Sequence, residues 1–251
     1  MKKLFIYAAI VAAATGGMTS CSDFLNVEPA GKVSEPDFLT QSGVTQLMTG
    51  MYATLHDYTG DDYWQSLSNY VYGDIMGGSA NKGSNFTDQP DFTSLETYTF
   101  TTDNSYLNNK WRSCYNGVFM ANNVINVANK GEEANSLSTI AGESKDFLTE
   151  TIAQARFFRA FWHFEAVKIF GAAIPYVTDK DLAESVNPQV SNVDESGNYI
   201  YIWDNIAEDF QYAYENLPNT WSTDKGRVNK WAAAAFLAKL RIYQSSPYNG
   251  T

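Results

Sequence analysis

Residues 155–171 read ARFFRAFWHFEAVKIFG, and the pattern of that stretch decides the fold. At about 100° per residue, Phe157, Phe158, Phe161, Trp162 and Phe164 cover an arc of roughly 160°. A helix that is apolar over so much of its surface must be covered by other elements on several sides. The pattern extends back to about Ser144 and ends at Gly171 and Pro175, a left-handed cap residue followed by a residue that cannot continue a helix. The spacing therefore predicts one long central helix over Ser144–Phe170. Arg156, Arg159 and His163, at i, i+3 and i+7, share its remaining strip, and Glu165 with Lys168 forms an i, i+3 ion pair beside the rings.

Working outward, Val44, Leu47, Met48, Met51, Tyr52 and Leu55 fall on one stripe at helical spacing. Trp111, Cys114, Tyr115, Val118, Asn122 and Ile125 form a second stripe, which is expected to stop near Gly131. Ile202, Ile206, Phe210, Ala213 and Leu217 mark a further helix, and Pro218 separates it from a last one over about Asn229–Gln244. Ala232–Ala235 and Ala238 allow that helix to approach a neighbour closely, in the manner of a tetratricopeptide-type hairpin. Between Tyr58 and Asn109 the period fails among Gly60, Gly73, Gly77, Gly78, Gly83 and Pro90. This reads as a long loop, with short strands near Thr97–Thr101. The fold class is mainly α: tetratricopeptide-like helical pairs with a long irregular region.

Residues 1–20 read as a lipoprotein export signal: Lys2 and Lys3, an apolar run from Leu4 to Ala14, then Met18, Thr19 and Ser20 before Cys21. That run is too short to span a bilayer. Cys21 is the expected lipidation site, residues 21–35 a lipidated tether containing Pro29 and Gly31, and residues 36–251 the helical domain. With Cys21 lipidated, Cys114 has no disulfide partner and is expected to be a buried small hydrophobe. The formal charge is −11, which disfavours phosphate backbones, so nucleic acid is not an expected partner.

No catalytic constellation is legible. His56 and His163 are the two histidines and have no companions at metal-ligand spacing, so neither a metal nor any other cofactor is expected. Asp61 with Asp62, and Glu132 with Glu133, are adjacent pairs that do not converge as glycosidase carboxylates do. Arg156, Arg159 and His163 could hold an anion, but the stronger reading ties loops and acids to the central helix. Aromatic content is high, with 6 Trp, 16 Tyr and 15 Phe. Sugar recognition needs flat apolar faces for C–H groups and amides or carboxylates for hydroxyls. Tyr63, Trp64, Asn85 and Phe86 supply both within the irregular stretch and are the candidate glycan contacts, with Asn81, Asp91 and Phe92 near them.

Cys21–Pro29, Trp111–Val118 with Ala121–Ile125, Ala155–Ala160 with Phe170-Gly171 and Ile174-Pro175, Asp204–Ile206, Asn216–Pro218, Gly226–Val228 and Ser246–Gly250 occur in this order along the chain. Together these segments resemble the SusD/RagB family of outer-membrane nutrient-binding lipoproteins. The resemblance implies four tetratricopeptide-like helix pairs packed against a less regular ligand-bearing region. It implies a surface-exposed lipoprotein of the cell outer membrane, held by its lipid, that binds oligosaccharides and is not an enzyme. Its partner would be a SusC-like TonB-dependent transporter. The alternative function is a peptide- or protein-binding helical scaffold. Relatives of this kind are longer and the match covers their N-terminal half, so the chain reads as truncated and the outer side of its last helix as uncovered. Replacing Cys21 with Ser is expected to release the protein from membranes. Unchanged fractionation, with no lipid mass on the N-terminal peptide, would refute the anchor.

Overall fold

The computed structural model describes residues 38–56, 69–133, 145–185 and 187–249. The leader, Cys21 and the tether lie outside the described residues. Helix α1 runs Gln41–Ala53, where the Thr40 hydroxyl accepts from the Gly43 amide at 3.0 Å and caps its start. Val44, Met48 and Met51 carry the expected stripe into the core, while Leu55 packs against it from just past the helix end.

The irregular region is less irregular than its composition suggests. It contains a π-helical turn, Val71–Ile75, and a short helix α2, Pro90–Glu96, with Pro at its first turn. The strands expected near Thr97–Thr101 are not there. The Thr99 amide instead donates back to the Ser94 carbonyl at 2.9 Å, Tyr98 takes a positive φ of 55°, and no second strand lies alongside to form a ladder. Among the described residues the only strand-like pairing is an isolated bridge between Val193 and Tyr199.

Helix α3, Ser105–Glu133, begins ahead of the apolar stripe because Asn104 Oδ1 accepts from the amides of Tyr106 and Leu107 at 3.0 and 3.2 Å. It also runs through Gly131, which does not break it. Helix α4, Lys145–Phe170, is the central helix: Phe157, Phe158, Phe161, Trp162 and Phe164 are all buried. It ends at Gly171, whose φ of +81° and amide bond to the Val167 carbonyl at 2.9 Å form a left-handed cap. Helix α5, Asp179–Glu184, is closed by a capping box between Thr178 and Asp181.

Helix α6, Trp203–Asn216, packs on α4 and on α7, Lys230–Gln244. Asn229 caps α7 by accepting from the Trp231 and Ala232 amides. The Phe236 ring of α7 stacks on Phe210 and meets Phe157 and Phe161 edge-on. The far side of α7 leaves Trp231 and Ile242 exposed, while Leu240 is buried and Phe236 packs into the core. Cys114 is fully buried and burial pushes its thiol up to about 12, so it is not a reactive nucleophile.

Helices α3 and α4 approach closely where the Trp162 indole lies against Gly117. A Cβ at Gly117 would sit 2.2 Å from the ring, and the ring is also held by its Nε1 hydrogen bond to Thr54 Oγ1 at 3.0 Å. Neither a buried indole nor two packed helices can shift to make that room without loss elsewhere. Gly117→Ala is therefore expected to destabilise the fold by about 2 kcal/mol or more, in the range of overpacked cores. A urea midpoint equal to wild type would contradict this packing.

Candidate functional site

Two polar constellations stand out, one buried in the body and one at the surface of the segment between α1 and α3. The buried one contains the three residues that the sequence allowed as an anion site. Asp209 of α6 is fully buried. Its Oδ1 accepts from Arg156 Nε at 2.6 Å and Arg159 Nη2 at 2.8 Å, and its Oδ2 from Arg159 Nε at 2.6 Å and from the Tyr176 hydroxyl. Arg159 Nη1 reaches Asn122 Oδ1 of α3 and Asp179 Oδ1 of α5. Burial alone would push the Asp209 carboxyl up, but the Arg159 hydrogen bonds and charge hold it below the usual carboxylate range. The guanidinium groups are thus committed to the protein's own acids, which is the structural role and not anion capture.

His163 completes this network in one tautomer. Its Nδ1 donates to the Arg159 carbonyl at 2.9 Å and its Nε2 accepts from the Val177 amide at 3.2 Å. Protonation would set a second N–H against that amide beside a guanidinium. Burial, with the Arg159 charge, lowers its pKa to about 3. Because the folded pKa is depressed, the stabilisation is complete above the unfolded value of about 6.5 and is lost as pH falls toward 3. Between pH 7 and pH 5 His163 alone is expected to remove about 2 kcal/mol of unfolding free energy. His163→Gln should be less stable at pH 7 yet show a flatter profile, and an unchanged slope in urea titrations would overturn the assignment.

The surface constellation is a small lobe with its own core of Val71, Ile75, Phe92, Leu95 and Tyr106. The Tyr72 hydroxyl donates to the Tyr106 carbonyl at 2.8 Å, and the Tyr106 hydroxyl to Gln89 Oε1 at 2.6 Å. Asp91 Oδ2 accepts from the Ser105 amide at 3.0 Å and from its hydroxyl, which holds the Asp91 carboxyl below its ordinary value. Over this core runs a loop knitted by Lys82, whose ammonium donates to the carbonyls of Asn85 and Asp88 and to Thr93 Oγ1. Asn85 Oδ1 accepts from the Thr87 amide and hydroxyl and from the Asp88 amide.

These bonds fix the loop backbone while Phe86, at its tip, is 73% exposed. An apolar ring held out on a rigid loop has little ordering entropy left to lose on binding. Tyr98 and Phe100 are also exposed, and the Tyr98 hydroxyl donates to the Met76 carbonyl.

Of the four candidate glycan contacts, Tyr63 and Trp64 lie outside the described residues. Asn85 and Phe86 are adjacent, but they divide their roles: Phe86 faces solvent, whereas the Asn85 carbonyl oxygen is used in shaping the turn. Phe92 packs the lobe, and Asp91 caps α3 through Oδ2. Tyr98 and Phe100 join Phe86 as exposed rings of the lobe, although in the sequence they resemble an alternating strand. At the root of the lobe, Asn69 Nδ2 donates to Glu165 Oε2 at 2.9 Å. Asn69 Oδ1 is buried with no partner among the described residues, an arrangement that typically costs about 1–3 kcal/mol.

Beyond the lobe, an open groove of about 560 Å³ at α6 is lined by Arg156, Glu208, Gln211, Tyr212, Glu215 and Arg241. No helix among the described residues is long and apolar enough to cross a membrane.

Residues 23–243 match the SusD-like family described as starch-binding and associating with the outer membrane. The chain belongs to the SusD-like family. A SusD-like protein of Bacteroides ovatus is 28% identical over 251 residues, covering 99% of this chain and 41% of that protein. A second SusD-like relative, from Formosa agariphila, is 24% identical over 234 residues, covering 90% of this chain and 41% of the relative. The chain thus spans about two fifths of the length of these relatives. Among solved structures, the surface glycan-binding protein A of Bacteroides thetaiotaomicron, in complex with laminarihexaose, superposes with a TM-score of 0.58 at 19% identity. That superposition covers 82% of this chain and 39% of the other. A laminarin-binding SusD-like protein gives a TM-score of 0.56 at 17% identity, over 82% of this chain and 40% of its own. At these identities the likeness establishes the SusD-like fold, mainly helical and shared over part of a longer architecture.

Proposed function

We propose that this chain is part of a surface glycan-binding lipoprotein of the outer membrane, anchored through Cys21. It binds oligosaccharide and performs no chemistry on it. In this reading it serves a SusC-like TonB-dependent transporter, to which it delivers bound oligosaccharide. The observation that carries the reading is Phe86, an exposed ring on a loop fixed by Lys82 and Asn85. Such a ring can cover the C–H face of a pyranose, while neighbouring amides meet its hydroxyls. Membership of a family described as starch-binding, and fold neighbours named for laminarin and glycan binding, support the same ligand class. Tyr63 and Trp64 remain proposed contacts in the preceding segment.

The second reading, a peptide-binding helical scaffold, is favoured by the groove at α6. Its Glu208, Gln211, Glu215 and Arg241 could meet a peptide backbone and its charges, beside the apolar surfaces of Tyr212 and Leu237. Titration calorimetry with malto- and laminari-oligosaccharides separates the two. Phe86→Ala is expected to weaken the best-bound oligosaccharide about tenfold, the loss of one stacking face worth roughly 1–1.5 kcal/mol. Undiminished binding would remove Phe86 from the site, and absence of binding to the oligosaccharides together with capture of peptides would favour the scaffold.

A further inference from the structure

Glu165 sits on α4 among aromatic residues and is 4% exposed. Its ion pair with Lys168, Nζ to Oε1 at 2.5 Å, joins residues one turn apart on the same helix and so holds no other element in place. An i, i+3 pair of this kind forms as readily on a solvated face, so the pair by itself does not explain why the carboxylate is buried. The second oxygen supplies the reason. Oε2 accepts from Asn69 Nδ2 at 2.9 Å, a contact across 96 positions of sequence. Lys110 of α3, fully buried, lies close enough for the charges of Glu165 and Lys168 to bear on it.

Asn69 is a second joint between the helical body and the lobe, beside the start of α3, which carries Tyr106 into the lobe's core. While its side chain is fixed to α4, its carbonyl accepts from the Gly73 amide at 2.7 Å and opens the π-helical turn. Val71 and Ile75 of that turn form one side of the lobe's core, with Phe92 and Leu95 of α2 in the same cluster. The turn's far end, the Met76 carbonyl, holds the exposed Tyr98. Single π-turns carry a poorer hydrogen-bond pattern than α-helix and persist where surrounding contacts define them.

We propose that Glu165 is a positioning residue for the ligand lobe: acting through Asn69, it sets the π-turn on which the exposed aromatic residues of the lobe are mounted. The role in affinity rests on the glycan-binding reading above, whereas the anchoring itself does not. Two measurements on the whole chain therefore run together, hydrogen exchange at the amides of residues 73–80 and titration with laminarihexaose and maltohexaose.

Asn69→Asp places a carboxylate against Glu165. It is expected to speed exchange at residues 73–80 about tenfold, the factor that corresponds to one lost hydrogen bond of about 1.4 kcal/mol, while amides in residues 155–165 of α4 keep their protection. Oligosaccharide affinity should fall several-fold. Asn69→Asp combined with Glu165→Gln reverses donor and acceptor at constant charge and should recover most of both losses. Asn69→Ala, which removes the donor without burying a charge, should loosen the same amides and guards against a failure of Asn69→Asp to fold. If wild type binds neither probe, the glycan reading fails for these ligands, and the exchange data still decide the anchor. Wild-type exchange in Asn69→Ala, equal loosening of α4, or a double variant no better than Asn69→Asp would overturn the proposal.

Discussion

The body of the molecule depends on one buried carboxylate. Asp209 lies at a point where α4, α6 and the segment leading into α5 meet, and an unpaired charge there would cost several kcal/mol. Its two oxygens are filled by Arg156, Arg159 and Tyr176, and Nη1 of Arg159 reaches on to Asn122 and Asp179. Apolar packing alone would let α6 slide or rotate against α4, because Phe157, Phe210 and Phe236 offer similar ring surfaces along the contact. The planar fork of Arg159 admits one arrangement of its acids. A lysine, with a single point charge, could not satisfy them together.

The lobe is built on a different principle. Its hydrophobic cluster is small, so its order comes from dense local hydrogen bonding: Lys82 to loop carbonyls, Asn85 and Asp91 to amides, and Tyr72 and Tyr106 across elements. Such a unit can hold large rings outward, since they are not needed to stabilise it. The body does the reverse, turning its rings inward and burying its charges. The Glu165–Asn69 bond, together with the start of α3, joins these two regimes, and it lies on the central, enclosed helix.

Much of the helical body was legible. The 155–171 stretch demanded a central helix because no other element buries so many rings around its circumference. The stripes of α1, α3, α6 and α7 followed from helical spacing, and their outer limits were displaced only where a polar cap or a tolerated glycine set the end. Asn104 started α3 before any apolar residue announced it, and Gly131 was carried because helix propensity penalises a glycine only mildly. The alternation at Thr97–Thr101 reads as a strand, but no partner strand lies alongside it among the described residues.

The sequence by itself therefore determined the five long helices of the body, its central element, the Glu165–Lys168 pair and the aromatic segment proposed to meet the ligand, but not the short α5. Each of these follows from spacing along a single element. The tertiary structure alone decided which acid would meet Arg159, that His163 would be locked neutral, that Asn85 would shape a turn while Phe86 faced outward, and that Asn69 would tie the lobe to Glu165. The Arg159–Asp209 and Asn69–Glu165 contacts bring together residues 50 and 96 positions apart, whereas the His163 and Asn85 outcomes turn on the path of the chain over 2 to 14 positions. Periodicity reports the face on which a side chain lies but says nothing of what the fold places opposite it.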